Sequence, residues 1–290
     1  MSGIDLHIHS SFSDDGDYSV GDIFQRAKEH SLEAIAVTDH DTLSHIGECV
    51  EYSTSSGVEL VPGFEITTMH PMDASQQHIL CYFADPGNIA LRALCNRIRS
   101  DRIELARERF HALEKIGFNH DPSIIDHKKD SQITATTIVK EILSHPDNTN
   151  HPLLQKYFSG PCKDDRIMCF YREFLASGKP GYVPFRSIPT KDAIITVINA
   201  HAVPVLAHPV QVKSEAILDD IRSSGIIGIE VYSSYHTPDD TKRFCDYAKT
   251  NHLIATAGSD FHGPTAKPHV GFASITGNYE TVSLLRNSIQ

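Results

Sequence analysis

Tryptophan is absent from the 290 residues, and methionine occurs only four times. Cysteine is sparse and scattered, at Cys49, Cys81, Cys95, Cys162, Cys169 and Cys245, with no Cys-x-x-Cys among them. That spacing excludes both a disulfide framework and a zinc ribbon, so the thiols are expected to pack reduced, as small hydrophobes. No uncharged apolar run approaches the roughly 20 residues of a membrane span. The opening Met1-Ser-Gly-Ile-Asp-Leu-His lacks a basic stretch followed by an apolar one, so a cytoplasmic protein is expected. Positive charge is also short. The 26 Lys and Arg face 37 Asp and Glu, for a net charge of −11. A broad basic face for long double-stranded nucleic acid is excluded, because phosphate neutralisation supplies most of that affinity. Small anionic substrates stay open if something local supplies positive charge. What the chain does have is 40% hydrophobic residues, enough for a sizeable core, and 18 histidines.

Over the first 97 residues β-rich runs alternate with helical patterns. Ile4–His9, Ala34–Thr38, Val58–Thr67 and His78–Phe83 read as strands, and Val20–His30 and Leu43–Ser56 as helices, the second ended by Gly57. The rhythm returns late, with strands at Pro204–Ala207, Ile226–Tyr232 and Leu253–Ala257. Helices are expected at Ser214–Ser223, Asp239–Asn251 and Glu280–Ile289. This alternation predicts an α/β fold with a parallel sheet, open or closed into a barrel. The middle differs. Asn88–Ile116 holds neither Pro nor Gly and reads as one long helix or two in tandem. Further helices are predicted at Ile133–Leu143 and near Asp165–Ala176, around a loop at Ser144–Pro152. Residues 98–195 are therefore expected to form a mostly helical insertion, with 1–97 and 196–290 making the α/β domain.

The chemistry-bearing residues cluster relative to those strands. His7 and His9 share one face of the first strand. Asp14 follows in a loop, the second strand ends in Thr38-Asp39-His40-Asp41, and the third carries Pro62-Gly63-Phe64-Glu65. The fourth begins at His78, and Ala207-His208-Pro209 and Gly258-Ser259-Asp260-Phe261-His262 end two later strands. All but His78 fall at or just after a strand's C-terminal end, where α/β sheets and barrels place their sites. Singly, each is ordinary turn or cap chemistry. Six strands delivering N and O donors to one rim instead predict a multinuclear metal site. His236 follows a strand end on the same rim and is a candidate for a substrate or supporting role. His45 and most other histidines read as helix-face or loop residues, and His70 as a surface residue.

In this order and spacing, His7-x-His9, Asp14, Thr-Asp-His40, Pro-Gly-x-Glu65, His78, Ala-His208-Pro and Gly-Ser-Asp260-x-His262 resemble the PHP (polymerase and histidinol phosphatase) superfamily of metal-dependent phosphoesterases. The resemblance covers about 190 residues outside the insertion. It implies a distorted (β/α)7 TIM-like barrel with three divalent ions, Zn, Mn or Fe. On that pattern His7, His9, Glu65 and Asp260 hold one ion. Glu65, His78 and His208 hold a second, with Glu65 as bridge, and Asp14, His40 and His262 hold the third. The long insertion resembles the single-subunit branch of nucleotide phosphatases and 5′–3′ exonucleases. There Arg99, Arg102 and Lys179 correspond to basic substrate-binding positions. That branch typically carries an Arg-Pro-His stretch in the insertion; here Ile133-Thr-Ala-Thr-Thr-Ile-Val139 has neither Arg nor His.

The implied reaction is hydrolysis of a phosphate monoester of a small nucleotide, of AMP or 3′,5′-bisphosphate type, or of a short oligonucleotide end. Metal-activated hydroxide attacks in line, with Glu65 and His208 as catalytic residues. The leaving-group proton comes from His208 or from a metal-bound water, and the sequence leaves both open. Two alternatives stand beside this: a histidinol-phosphate phosphatase, and a non-enzymatic, metal-loaded nucleotide-binding domain. The insertion is expected to act as a lid that reads the substrate beyond its phosphate.

Overall fold

The computed structural model describes residues 3–127 and 133–289. They form two compact units, one of residues up to Ile98 together with those from Ser187, the other of Arg99–Arg186. Residues 187–195, grouped with the insertion in the sequence reading, belong to the first unit. There the Thr190–Asn199 helix buries Ala193, Ile194 and Val197 in the core.

The first unit holds eight strands: β1 (Ile4–Ile8), β2 (Ala34–Val37), β3 (Glu59–Leu60), β4 (Gly63–His70), β5 (Ser75–Tyr82), β6 (Val203–Leu206), β7 (Gly228–Ser233) and β8 (Ile254–Gly258). β1, β2 and β3 pair in parallel in one sheet, and β4 to β8 form a second in sequence order. Every residue of β1, β2 and β6 is buried, as expected of strands covered on both faces. Along β1 the odd positions Asp5 and His7 share one face, while Ile4, Leu6 and Ile8 join apolar clusters. Two isolated parallel bridges link the sheets, Ile8 to Phe261 and His40 to Glu65.

The expected parallel order fails in the middle. β5 runs antiparallel to both β4 and β6. A tight turn reverses the chain after His70, with Ala74 at φ 52° and Asp73 accepting from the Ser75 N–H and hydroxyl. The single strand expected over Val58–Thr67 splits at Pro62, which has no N–H for a ladder. Gly63 then lets β4 approach β5, since a Cβ there would sit 2.8 Å from the Cys81 carbonyl.

His45 and His70, read from sequence as loop or surface residues, are both buried. His70 Nε2 lies 3.0 Å from Asp220. His45 Nε2 lies 3.0 Å from the Val37 carbonyl and 2.9 Å from that of Gly63, so its N–H ties the end of β2 to the start of β4. Replacing His45 by Ala strips the donor from two buried carbonyls and leaves a void. The expected cost is about 2–4 kcal/mol in chemical denaturation. A loss below about 1 kcal/mol would mean that this strap is dispensable.

The helix Ile89–Glu114 passes from the first unit into the second. In the second unit Ala135–Ser144 is capped by Thr134, and Arg166–Phe170 continues as a π-helical turn over Tyr171–Leu175. Phe110, Phe118, Tyr157, Phe170 and Phe174 form its core. All six cysteines are free thiols.

Candidate metal centre

Local sequence sets each donor. β1 delivers His7, His9 follows one residue past its end, and the loop after it folds around Asp39, the residue before His40. The buried Asp39 carboxylate accepts from the Ser10 N–H at 2.7 Å, the Ser10 hydroxyl at 2.5 Å and the Ser13 hydroxyl at 2.8 Å. Ser13 Oγ has spent its proton on Asp39 and so accepts from the His40 N–H at 3.0 Å and from His9 Nδ1 at 3.1 Å. His9 therefore carries a proton on Nδ1 and turns Nε2 inward. Gly16 closes the loop where no Cβ fits, 1.9 Å from the Ser10 carbonyl.

Glu230 on β7 does the same for His7. One oxygen accepts from His7 Nδ1 at 2.9 Å, and the other accepts the His208 N–H at 2.8 Å. His208 sits at φ 27°, a left-handed backbone that a β-carbon disfavours, and the Glu230 bond helps hold it there. Asp5 ties β1 to the end of β8, accepting from the Ser259 N–H at 2.9 Å and its hydroxyl at 2.6 Å. Burial pushes the Asp5 carboxyl up to about 7, against these hydrogen bonds.

The inward atoms converge. His7, His9, Glu65 and Asp260 place one donor each within 4.8 Å of one another, as do His40, Glu65 and His78, and His9, His40 and His262. Glu65, like His9 and His40, belongs to two of these groups, and it is the one carboxylate that does. Its Oε1 faces His78 Nδ1 at 2.8 Å and His208 Nε2 at 3.2 Å. Its Oε2 faces His7 Nε2 at 3.3 Å, His9 Nε2 at 3.2 Å and His40 Nδ1 at 3.1 Å. Asp260 Oδ1 lies 3.2 Å from both His7 Nε2 and His9 Nε2 and 3.4 Å from His262 Nδ1.

These contacts suit metal ligation better than a hydrogen-bonded cluster. His7 Nε2, His9 Nε2 and Glu65 Oε2 are buried, and among the described residues they make no hydrogen bond. Donors bound at about 2.0–2.2 Å to one tetrahedral ion lie roughly 3.3–3.6 Å apart, close to the 3.2 and 3.3 Å seen here. The charge balance also calls for a cation. Burial opposes charge on His7, yet Asp260, Glu65 and Glu230 outweigh it and hold the imidazole well above its usual range. His9 is pushed up to about 9 against the same burial, by Asp260 and Glu65. Burial would raise the Glu65 and Asp260 carboxyls, but His78, His7 and His40 around Glu65, and His7 and Lys267 around Asp260, hold both well below theirs.

Several sequence expectations shift here. The loop carboxylate turned towards His40 and His262 is Asp15, 3.9 and 3.6 Å from their Nε2 atoms, although neither Asp14 nor Asp15 falls in the three donor groups. Consecutive acids at 14 and 15 left the sequence spacing ambiguous by one residue. His236 does not join the cluster: its Nδ1 lies 2.8 Å from the Val231 carbonyl and its ring packs on Phe244. The adjacent Tyr235 instead packs edge-on to His208, with ring centres 5.3 Å apart. Lys267, unmarked in the sequence, pairs with the second oxygen of Asp260 and lies over the Tyr235 ring at 4.9 Å. Arg99, Arg102 and Lys179 all belong to the second unit, where Arg102 stacks over Phe185 at 5.3 Å and Lys179 is exposed.

A family model of the PHP domain matches residues 5–156, just over half of the chain. The chain belongs to the PHP domain family and is a metal-dependent phosphoesterase. Its PHP relatives are matched over nearly their whole length. It is 30% identical to a 3′,5′-nucleoside bisphosphate phosphatase of Chromobacterium violaceum over 271 residues, covering 91% of this chain and 88% of that one. It is 28% identical to a phosphoribosyl 1,2-cyclic phosphate 1,2-diphosphodiesterase of Eggerthella lenta (92% and 97% covered). A 5′-3′ exoribonuclease of Haemophilus influenzae is 27% identical (90% of each). Among solved structures, an amidohydrolase of Chromobacterium violaceum with bound sulfate superposes with a TM-score of 0.75 at 29% identity, covering 93% of this chain and 90% of that one. A protein described as a metal-dependent phosphoesterase from Bifidobacterium adolescentis shares the fold, with a TM-score of 0.79 at 24% identity over 100% and 97% of the two chains.

Proposed function

We propose that this phosphoesterase hydrolyses a phosphate monoester of a small nucleotide, of AMP or 3′,5′-bisphosphate type, or of a short oligonucleotide end. The observation that carries the reading is Glu65, whose two oxygens face two different sets of histidines. His7, His9, Glu65 and Asp260 would hold one ion, Glu65, His78 and His208 a second, and Asp15, His40 and His262 a third. Mixed imidazole and carboxylate donors favour Zn, Mn or Fe over Mg or Ca. Bound there, divalent ions neutralise phosphate charge and acidify water. The bridges from Ile8 to Phe261 and from His40 to Glu65 support reading the first unit as the distorted (β/α)7 barrel of this family. The relatives acting on nucleoside bisphosphates and on RNA favour a nucleotide substrate.

The chain's own residues have defined parts in this reading. Asp39, Ser13 and Glu230 fix the ring orientations of His9 and His7 through Nδ1, so that holding an ion requires loss of the Nε2 proton but no movement of the rings. Lys267 neutralises the outer oxygen of Asp260 and leaves the inner one aimed at the cluster. His208, if it ligates through the Nε2 that faces Glu65, has no proton on that atom to give, so in this reading its part is to hold the second ion.

A screen of phosphate esters with Mn-reconstituted protein tests this, using AMP, a 3′,5′-bisphosphate, histidinol phosphate and a short 5′-phosphorylated RNA. Chelator should abolish phosphate release. Histidinol phosphate as the sole substrate would overturn the nucleotide reading. Discrimination should be modest, because the Ile133–Val139 stretch offers no Arg or His. One missing charge-assisted contact is worth roughly 1.5–3 kcal/mol, or about tenfold to a hundredfold in kcat/KM. A preference beyond about a thousandfold for one nucleotide over a simple sugar phosphate would contradict that inference.

A further inference from the structure

We propose that residues 99–186 contain an anion site centred on Arg109, built to take a phosphate group, whose residues all lie outside the metal-ligating cluster. Arg102 and Arg109 are seven residues apart on the Ile89–Glu114 helix, two turns along one face. That face also carries Ala106 and Leu113, which are core residues of this unit. Arg109 is thereby drawn inward and is only 9% exposed. Two residues earlier, the exposed Arg107 behaves as a surface cation does and pairs with Glu104 at 2.5 Å. Arg109 does not. Its Nε is buried without a hydrogen bond, and among the described residues no carboxylate lies within ion-pair distance of it.

The groups that do act on Arg109 are a second cation, Arg102, and two phenols, Tyr171 and Tyr182. Burial, and then Arg102, hold the guanidinium below its usual range. A buried charge with a like charge as neighbour is unfavourable unless a counter-ion completes it. The chemistry on hand defines that counter-ion. A guanidinium fork matches two oxygens of a phosphate, a second cation offsets the remaining charge, and phenol hydroxyls can donate to other oxygens. A carboxylate has too few acceptors for this donor set. Tyr182 is 40% exposed, which gives a route from solvent. Arg102 is held over Phe185 at 5.3 Å.

The test is calorimetric titration of the full-length, metal-loaded protein with inorganic phosphate, on wild type, Arg109→Met and Arg109→Lys. Wild type should bind one phosphate per chain more than Arg109→Met, with equal metal content by elemental analysis. Arg109→Lys, which keeps the charge but loses the fork, should bind that phosphate at least about tenfold more weakly. Without phosphate, Arg109→Met should melt no lower than wild type, because an uncompensated buried charge has been removed. Adding phosphate should raise the wild-type melting temperature more than that of the variant. Equal phosphate stoichiometry and affinity in wild type and Arg109→Met would overturn the proposal. So would a variant that melts several degrees lower yet keeps the full phosphate response, since Arg109 would then be structural. Displacement of this phosphate by adenosine, which has none, would overturn the assignment to a phosphate group. If Arg109→Met does not fold, the Arg109→Lys affinity decides. The site does not rest on the proposed reaction: failure to release phosphate from any ester would leave these binding results standing.

Discussion

Glu65→Gln should deplete at least two metal ions per chain and lower kcat/KM for any phosphate ester by about a thousandfold or more. The expectation follows from the position of the carboxylate. Oε1 faces His78 and His208 at 2.8 and 3.2 Å, and Oε2 faces His7, His9 and His40 at 3.1–3.3 Å. A carboxylate shared by two cations offsets their mutual repulsion. An amide keeps the shape but presents one nitrogen that cannot ligate, and it carries no charge. Both ions should therefore weaken together. Elemental analysis of the purified variant reads this directly, with circular dichroism to show that it is folded. Loss of a single ion with activity retained would remove Glu65 from the bridging position.

The second large effect separates two neighbouring acids. Asp15→Asn should cost about a hundredfold or more in kcat/KM and one ion per chain, whereas Asp14→Asn should stay within a few-fold of wild type. Asp15 lies 3.9 Å from His40 and 3.6 Å from His262. Despite burial, those histidines hold its carboxyl down to about 2. The anion is thus stable where a third ion would need it. Measured kcat/KM and metal content for the two variants settle the assignment. The reverse pattern, with Asp14→Asn the damaging change, would restore the reading taken from the sequence spacing.

That one-residue difference marks the resolution of the sequence itself. The pattern of apolar runs locates most strands and the longer helices to within a few residues, because period-2 and period-3.6 burial is written locally, but it passes over the core helix Thr190–Asn199. It could not show that β5 runs backwards. His78 was the one proposed ligand away from a strand's C-terminal end, and the reversal explains why: in β5 it pairs with Thr67, beside Glu65. Donor types ordered along the chain were legible because ligation needs particular atoms. The residues that aim them were not. Glu230 reaches His7 across 223 residues, and Asp39 organises a loop 26 to 29 residues earlier. A signal did exist. Glu230 is the lone charged residue of its strand, and a charge buried there needs partners. His45 was misread for a related reason: a helix-entry residue looks solvent-facing until the carbonyls of Val37 and Gly63 are placed beside it.

On the proposed reading, the cluster of His, Asp and Glu donors carries divalent ions on which phosphate-ester hydrolysis depends. The most direct measurement is to titrate chelator-stripped wild-type protein with Mn, following bound ions per chain and phosphate release from AMP in the same samples. Three ions per chain, with release appearing only as the last of them binds, is the predicted result. Full-rate phosphate release from protein holding no metal, or saturation at a single ion per chain, would contradict it.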